Sequence, residues 1–552
     1  MLAARRNLFE IAVLFFSSLI LFTWGLSAQE IFGFDSRFYL FVQEMWRYGA
    51  SWFPLTYHQP YPDYPASSTF LIYLCALALG TVNKFVVVLP TAILAAATLT
   101  ITYLIGAMHS KRWGLCAVLF MFLTITFLRS ARSISLDMYP TVITACCFYL
   151  IYSADFTHTY RRLVWIYPLL ILGFAFRGPI GLVMPTGVIC SYYFLNRNVG
   201  RLVVTGFTAL MLLMACTAVL LALAYHTGGD TFLWNVLRME VLGRINNHYL
   251  PRYFYFTDSL MSYALAYPVA LLVFPGLIYY FCITREHSAE MKLNARLLGW
   301  VMVLLIGMSI PDDKKVRYVL PVLPALALIA AYPFIAPPSQ KYFAALRWIM
   351  TRFFLILPLV LLMAFTYVYF FANKYSVNVG FHFVYVFGFF ALLQVMNIWI
   401  FCRENKTASL REPALLGFAA LCVSISYLTV VEPVELYIDR ARDFVVSTEA
   451  LRKQQHSRLV FYREKPDGLP IKYLINMPDA EQPVFIRNQN ELLGYSGPAF
   501  FVTSKSYFND LPEDIAHNYR IITNDTLGHV PVVVFAKKQE IAADPVQQRT
   551  AL

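Results

Sequence analysis

The sequence predicts a polytopic α-helical membrane protein with outer-face juxtamembrane helices and a small C-terminal α/β extramembrane domain. Three observations predict it. The 552 residues are 59% apolar and only 14% charged, a balance that leaves too little polar surface for a soluble globule. Apolar runs of bilayer-crossing length, about 20 residues for a helix, recur between residues 8 and 431. After Val431 the composition changes: residues 437–552 are polar and hold short apolar runs at 458–462 (RLVFY), 499–504 (AFFVTS), 519–523 (YRIIT) and 531–536 (PVVVFA). Helical candidates at 488–495 and 505–516 lie between them, the pattern of a small α/β domain.

The first span, 8–28, follows Arg5 and Arg6, which the positive-inside rule keeps in the cytoplasm. No small-residue cleavage site follows it, so it reads as an uncleaved helix. About thirteen transmembrane helices are expected, the others at 84–108, 113–129, 139–154, 164–177, 180–195, 202–225, 260–283, 295–310, 317–335, 347–371, 383–402 and 413–431. Residues 66–80 are too short for a span and are expected as an outer-surface or re-entrant helix. Arg177-Gly178-Pro179 breaks 164–177 from 180–195, which suggests a partly re-entrant pair. The expected division is a transmembrane domain, 1–436, with a first outer loop at 29–83, and an outer domain, 437–552.

Charge orients the chain. An odd number of spans places Lys111/Arg112, Arg161/Arg162, Arg197/Arg201, Arg285/Lys292/Arg296 and Arg403/Lys406/Arg411 inside. It also leaves Arg129, Arg132, Arg177, Arg238, Arg244, Arg252, Lys314, Lys315 and Arg317 outside. Part of the net charge of +12 then faces lipid headgroups or a phosphate-bearing ligand. Nothing points to a nucleic-acid partner. All nine cysteines precede residue 423, so the outer domain has no disulfide and no cysteine-based metal motif. There is no Walker loop, no G-x-G-x-x-G unit and no repeat of fixed period.

Candidate site residues gather on outer segments. Asp35 follows the first span, where a carboxylate is expensive unless paired or working; the plainer role is that of a helix N-cap before SRFYLFVQEMW. Tyr39 comes four residues on. Tyr61-Pro62-Asp63-Tyr64-Pro65 follows. Arg129, Arg132, Asp137 and Met138 bridge the third and fourth spans. Arg177-Gly178-Pro179-Ile180-Gly181 forms another group, and Lys314-Lys315-Val316-Arg317-Tyr318 leads into VLPVLPALALIAAY. The loop 226–258 adds Glu240, Arg244 and His248. Taken singly, the arginines read as snorkelling anchors, Asp137 as a helix cap, and Lys314 and Lys315 as interfacial lysines. Their convergence on one membrane face is the functional signal.

In this order and spacing the residues resemble the GT-C class of polytopic lipid-dependent glycosyltransferases. The bacterial aminoarabinose-transferase type that modifies lipid A, related to the protein O-mannosyltransferases, is the most similar. The motifs cover roughly residues 8–335. Asp35 and Tyr39 match the acid-and-tyrosine element after the first span, with Ser36 in place of a second acid. Tyr61 to Ala66 matches a Tyr-Phe-acid-Lys-Pro-Pro element, with Tyr64 in place of the lysine. Asp137-Met138, Arg177-Gly178-Pro179-Ile180-Gly181, and Arg317-Tyr318 with Leu320-Pro321 and Pro324-Ala325-Leu326 match the later elements. Glu240, Arg244 and His248 fit the outer-loop pattern more loosely.

The resemblance implies a polyprenyl-phosphate-linked sugar donor, an envelope acceptor such as lipid A, and transfer on the periplasmic face of a bacterial inner membrane. Asp35 and Asp137 would be the catalytic acids. Arg317, Lys315, Lys314, Arg177, Arg132 and Arg129 would hold donor or acceptor phosphate. Tyr39, Tyr61, Tyr64, Glu240 and Arg244 would position substrate. Protein as acceptor is the alternative. An anionic-lipid transporter or flippase is a different class, weighed against by the absence of an inverted repeat. A phosphoethanolamine-type transferase would need a metal cluster, for which the chain offers only Asp63 and His248 as isolated ligand types. No required cofactor is expected. If a divalent ion is used, those two residues are its ligands.

Overall fold

A computed structural model describes residues 2–33, 35–63, 65–239, 250–312, 314–374, 383–403, 408–477 and 481–538. The chain forms two compact units. One comprises Met1–Ser27, Ala50–Pro54 and Pro60–Glu432, the other Ala28–Gly49, Leu55–Gln59 and Pro433–Leu552.

The first unit is a helical membrane bundle. It opens with α1 (Leu2–Thr23). The next helix, α2 (Asp35–Tyr48), belongs to the second unit. The bundle resumes with α3 (Ser67–Leu79), α4 (Lys84–Ala107), α5 (Lys111–Phe122), α6 (Ile125–Ala131), α7 (Met138–Thr157), α8 (Ile166–Arg177), α9 (Pro179–Leu195) and α10 (Val199–Leu237). It continues through α11 (Phe254–Ser262), α12 (Ala266–Ile278), α13 (Ala289–Ser309), α14 (Leu323–Ala331), α15 (Lys341–Lys374), α16 (Phe383–Cys402) and α17 (Ala408–Ser426).

Each of the thirteen expected spans is largely helical, but the helices are not all of crossing length. Among the described residues, nine helical segments are long and apolar enough to cross a membrane, or ten if α5 and α6, bent by 79°, make one span. The remaining expected spans correspond to α7, α8 and α9. Helix α8 has 12 residues and α9 has 17, short of the roughly 20 a crossing needs. Helix α7 has the length but carries Thr141, Thr144, Tyr149, Tyr152, Ser153 and Asp155, and most of it is buried among other helices. The expected short helix at 66–80 is α3.

Helix α14 is the centre of the bundle: all nine of its residues are buried. Its Pro-rich lead-in explains one of its partners. Pro324 has no N–H to give to the preceding turn, and the Trp300 indole donates instead to the Pro321 carbonyl at 3.0 Å. At the far end the Tyr332 amide turns to the Ile329 carbonyl, and the Trp113 indole takes the Leu328 carbonyl at 2.7 Å. Helix α15 repeats the device. Pro358 cannot reach the Phe354 carbonyl four residues back, and Asn397 of α16 donates to it at 3.1 Å. In α10 the regular helix breaks at Gly228 and Gly229, the latter at φ 64°, three residues past the expected span end.

Arg132, just past α6, closes the exit of α1. Its side chain is almost wholly buried, and all five of its N–H groups are engaged. Nε and Nη2 donate to the Glu432 carboxylate at 2.9 and 2.7 Å, Nη1 to the carbonyls of Leu21 and Phe22, and Nη2 also to that of Trp24. These carbonyls belong to the end of α1 and the residue beyond it, where a helix leaves acceptors unfilled. Arg132 was expected to hold phosphate. The structure corrects that: it has no donor left for a ligand.

The second unit is a mixed five-stranded sheet with helices on both faces. Its strands are β1 (Arg458–Tyr462), β2 (Val484–Ile486), β3 (Ala499–Ser504), β4 (Tyr519–Leu527) and β5 (Val530–Lys537), in spatial order β2-β1-β3-β5-β4. β1 runs parallel to β2 and β3, while β5 is antiparallel to β3 and β4. The period-2 alternation of side chains divides the apolar residues between two cores. Leu459, Phe461, Phe500, Val502 and Val534 face one; Val460, Tyr462, Phe501, Val533 and Phe535 face the other. β2 went unforeseen because it is three residues long. Helices α18 (Glu432–Ile438) and α19 (Arg442–Gln454) lead into the sheet. On α19, Glu449 takes bonds from Arg452 and the Tyr473 hydroxyl, and Arg452 donates to the Ser457 carbonyl at 2.7 Å.

The division of the first outer loop differs from expectation. Residues 28–49 and 55–59 belong to the sheet unit rather than to the bundle. The cause is the apolar face of α2, where Phe38, Leu40, Phe41, Val42 and Met45 are buried. This helix packs on the Leu469–Leu474 helix of its own unit. The Tyr57 hydroxyl donates to the Pro466 carbonyl, and the Glu44 carboxylate accepts from the His58 amide at 2.9 Å.

Breaking one partner of a buried ion pair destabilises by about 3–5 kcal/mol, whereas replacing both with apolar residues is often near neutral. Arg132→Met alone is therefore expected to lower the thermal midpoint sharply. Arg132→Met with Glu432→Met should recover part of the loss, all of it read by thermal unfolding in detergent. Equal midpoints for the single variant and the wild type would remove the structural role.

Candidate functional site

In the bundle, Asp137 is the point to which the other charged residues converge. It precedes α7 but does not cap it: no side-chain hydrogen bond runs from its carboxylate to the helix start. The carboxylate, on a side chain only 7% exposed, turns to cations instead. Arg177 Nε donates to Oδ1 at 3.0 Å, and Arg177 Nη2 lies 2.9 Å from the same oxygen. Arg317 Nε lies 3.4 Å from Oδ2.

The arrangement depends on how α8 turns into α9. Arg177 is the last residue of α8. Gly178 follows at φ 63°, ψ −153°, a conformation only glycine adopts readily. Pro179 then starts α9 with its φ already helical. The two helices cross at glycines: a Cβ on Gly181 would collide with the Gly173 carbonyl. The Arg-Gly-Pro-x-Gly element is therefore a tight hairpin that buries Arg177 against Asp137.

The third wall is Val316–Val322, a 3₁₀ turn before α14. The Tyr318 ring has three cations around it, with Arg177 at 5.4 Å, Lys315 at 5.8 Å and Arg317 at 5.9 Å from its centroid. Lys315 is exposed and Arg317 partly so. Asp63 is close enough for its charge to act on Arg177. The bundle thus brings together Asp63, Asp137, Arg177, Lys315, Arg317 and Tyr318. Lys314 is buried, and its ammonium donates to the Leu250 carbonyl at 3.1 Å. Arg129 is exposed on the last turn of α6.

Asp35 and Tyr39 belong to the sheet unit. The helix α2 begins at Asp35 itself, so the carboxylate lies in the first turn, where the helix dipole favours negative charge. Tyr39 shares its face at i+4. Burial raises its pKa, and Gln43 and the nearby charges of Arg442 and Arg47 oppose the rise. Tyr61 lies in a turn whose carbonyl accepts from the Asp63 amide at 2.8 Å. Tyr64, Glu240, Arg244 and His248 lie outside the described residues. Among the described residues no group of three or more His, Cys, Asp or Glu is placed to hold a metal ion.

One residue of this architecture was named without a role and one was missed. Tyr318 follows Arg317 in the Arg-Tyr element, and a ring beside a cluster of cations was the available signal. Glu432 is an acid at the end of an apolar span, a position that calls for a partner.

No family model matches the chain. An uncharacterized protein of Aquifex aeolicus (strain VF5) is 27% identical over 248 residues, 44% of this chain and 47% of that protein. The chain thus spans about half the length of the curated relative it matches. Two crystal structures of ArnT from Cupriavidus metallidurans are similar along nearly the whole chain. The one bound to undecaprenyl phosphate is 15% identical, with a TM-score of 0.66 and coverage of 96% of this chain and 98% of that one. The one in the apo state is 16% identical, with a TM-score of 0.65 and coverage of 97% and 99%. The chain has the fold of these two ArnT structures.

Overpacking a close helix crossing typically costs about 1–3 kcal/mol. Gly181→Ala is expected to lower the thermal midpoint by the equivalent amount. Gly187→Ala on the same helix should be nearly neutral, because its Cβ would meet only Val303, at an ordinary 3.6 Å. A neutral Gly181→Ala would show that the hairpin tolerates separation.

Proposed function

We propose that this protein is an inverting glycosyltransferase that moves a sugar from a polyprenyl-phosphate donor to an envelope acceptor of the lipid A type, on the periplasmic face of the inner membrane. The observation that carries the reading is the cluster of Arg177, Arg317 and Lys315 around Tyr318 and Asp137, in a chain with the ArnT fold. A sugar phosphate that loses its sugar gains negative charge on the phosphate. Cations fixed beside it bind the transition state more strongly than the ground state, which is what accelerates the step. A planar guanidinium holds two phosphate oxygens at once. Arg317 and Lys315 are the exposed cations of the cluster and take this role.

Asp137 acts as a positioning residue. Both of its oxygens face guanidinium groups, which holds Arg177 and Arg317 in place. The proton of a hydroxyl acceptor goes to Asp35, and the acceptor oxygen attacks the anomeric carbon as the bond to phosphate breaks. The transition state has oxocarbenium character, and direct displacement inverts the anomeric centre. If the acceptor is a lipid phosphate, it is already anionic and Asp35 orients it. The isoprenoid tail stays in the membrane beside the bundle.

Proteoliposomes with a polyprenyl-phosphate-sugar donor, and mass spectrometry of envelope lipids from cells with and without the protein, test the activity directly. Arg317→Ala should weaken productive donor binding more than Arg317→Lys, because lysine keeps the charge and loses the two-oxygen grip. Indistinguishable variants would return Arg317 to an interfacial anchor. Asp35→Asn should fold normally and lose about 100-fold or more in turnover, the scale of general-base loss, with donor binding little changed. An active Asp35→Asn enzyme would limit Asp35 to a helix-terminal role. Turnover is expected to survive chelators; restoration of lost activity by one divalent ion would overturn that.

A further inference from the structure

The Lys315–Arg317 segment carries the more exposed cations of the cluster, and its backbone passes there from an extended residue into a 3₁₀ turn. Lys315 is extended, at φ −134° and ψ 137°, and the chain enters the 3₁₀ turn directly after it. The Tyr318 amide closes onto the Lys315 carbonyl at 2.9 Å. The Lys315 N–H and the Val316 C=O point into the bundle. Both find phenols from one stretch of chain. The Lys315 N–H donates to the Tyr255 hydroxyl at 3.2 Å, and the Tyr263 hydroxyl donates to the Val316 carbonyl at 3.0 Å. The two tyrosines, on α11 and just beyond it, are fully buried. The Lys314 ammonium adds a third link, to Leu250 ahead of α11.

We propose that Tyr255 and Tyr263 are positioning residues that set the register of Lys315 and Arg317 for the phosphate of the lipid donor. This rests on the donor reading above. The argument is one of leverage. In an apolar bundle an unpaired backbone group is expensive, so this segment has one low-energy register, in which both phenols are engaged. A phenol is rigid, with two side-chain torsions, and its hydroxyl stands at a fixed distance from its own helix. Losing the Tyr255 hydroxyl frees the 314–315 peptide plane and losing the Tyr263 hydroxyl frees the 316–317 plane, and rotation of either redirects the Lys315 or Arg317 side chain beside it. Arg317 then leaves the 3.4 Å approach to Asp137, and Lys315 leaves the Tyr318 ring.

Binding of two lipids to the full-length protein in nanodiscs separates positioning from general stability. Undecaprenyl phosphate and undecaprenol share the tail and differ in the charged group. Tyr255→Phe and Tyr263→Phe are each expected to weaken undecaprenyl phosphate about 3- to 10-fold, the scale of one hydrogen bond, and to leave undecaprenol unchanged. Tyr267→Phe, a buried tyrosine on α12, is expected to change neither. Parallel weakening of both lipids would make the two tyrosines ordinary structural residues and overturn the proposal. So would unchanged phosphate selectivity in both variants. If the wild-type protein binds the two lipids equally, the donor reading itself falls and takes this proposal with it.

Discussion

A guanidinium cannot sit inside an apolar bundle without its charge being answered, and this constraint organises the first unit. It is met twice, with different results. Arg132 and Glu432 form a closed pair, in which every N–H of the arginine is used on the carboxylate or on the end of α1. Arg177 and Asp137 form an open one. The carboxylate is shared with Arg317, and the cations extend past it to the exposed Lys315. The chemistry of the two pairs is the same. What separates architecture from site is whether cationic groups remain on a reachable surface once the pair is made.

The open pair depends on backbone features far smaller than itself. Gly178 allows a reversal that a side chain would resist, and Gly173 and Gly181 let two helix backbones meet. Prolines do complementary work around α14. Each removes a donor and so frees a carbonyl, and a tryptophan indole takes one on the lead-in turn. The bundle's centre is thereby tied to α5 and α13 through side-chain-to-backbone bonds rather than through apolar contact alone. That matters because apolar packing is non-directional. The indole and phenol bonds fix the rotation of the segment that carries the cations.

Much of this was legible in the sequence, for identifiable reasons. Hydropathy marks spans because a membrane allows few alternatives to a helix, and the continuous apolar runs at 458–462 and 499–504 mark strands because both faces of the sheet are covered. The length of α8 and the fate of α2 were harder. Helix α8 is short because its turn is set by Gly178, not by the bilayer. The apolar face of α2 reads equally well as resting on a membrane surface or on a protein domain, and only tertiary packing selects the sheet unit. Asp137 was legible as an acid that orients an arginine, Arg132, but not as the partner of Arg177, from which 40 residues separate it. A one-sequence reading contains no contact information at that range.

The cations facing outward by the charge rule show the same limit in another form. A sequence counts charges, while a ligand meets donors. Arg132 is consumed by Glu432 and the end of α1, and Lys314 donates to the Leu250 carbonyl. Arg177 is buried on Asp137 and touches the site through its edge over Tyr318. Lys315 and Arg317 lie two apart in the chain, Lys315 exposed and Arg317 partly so. Charge excess on one membrane face is therefore a statement about burial as much as about binding: several cations are there to close helix ends and loops. Those two form a compact pair on a braced turn, which suits a single phosphate group better than an extended anionic surface.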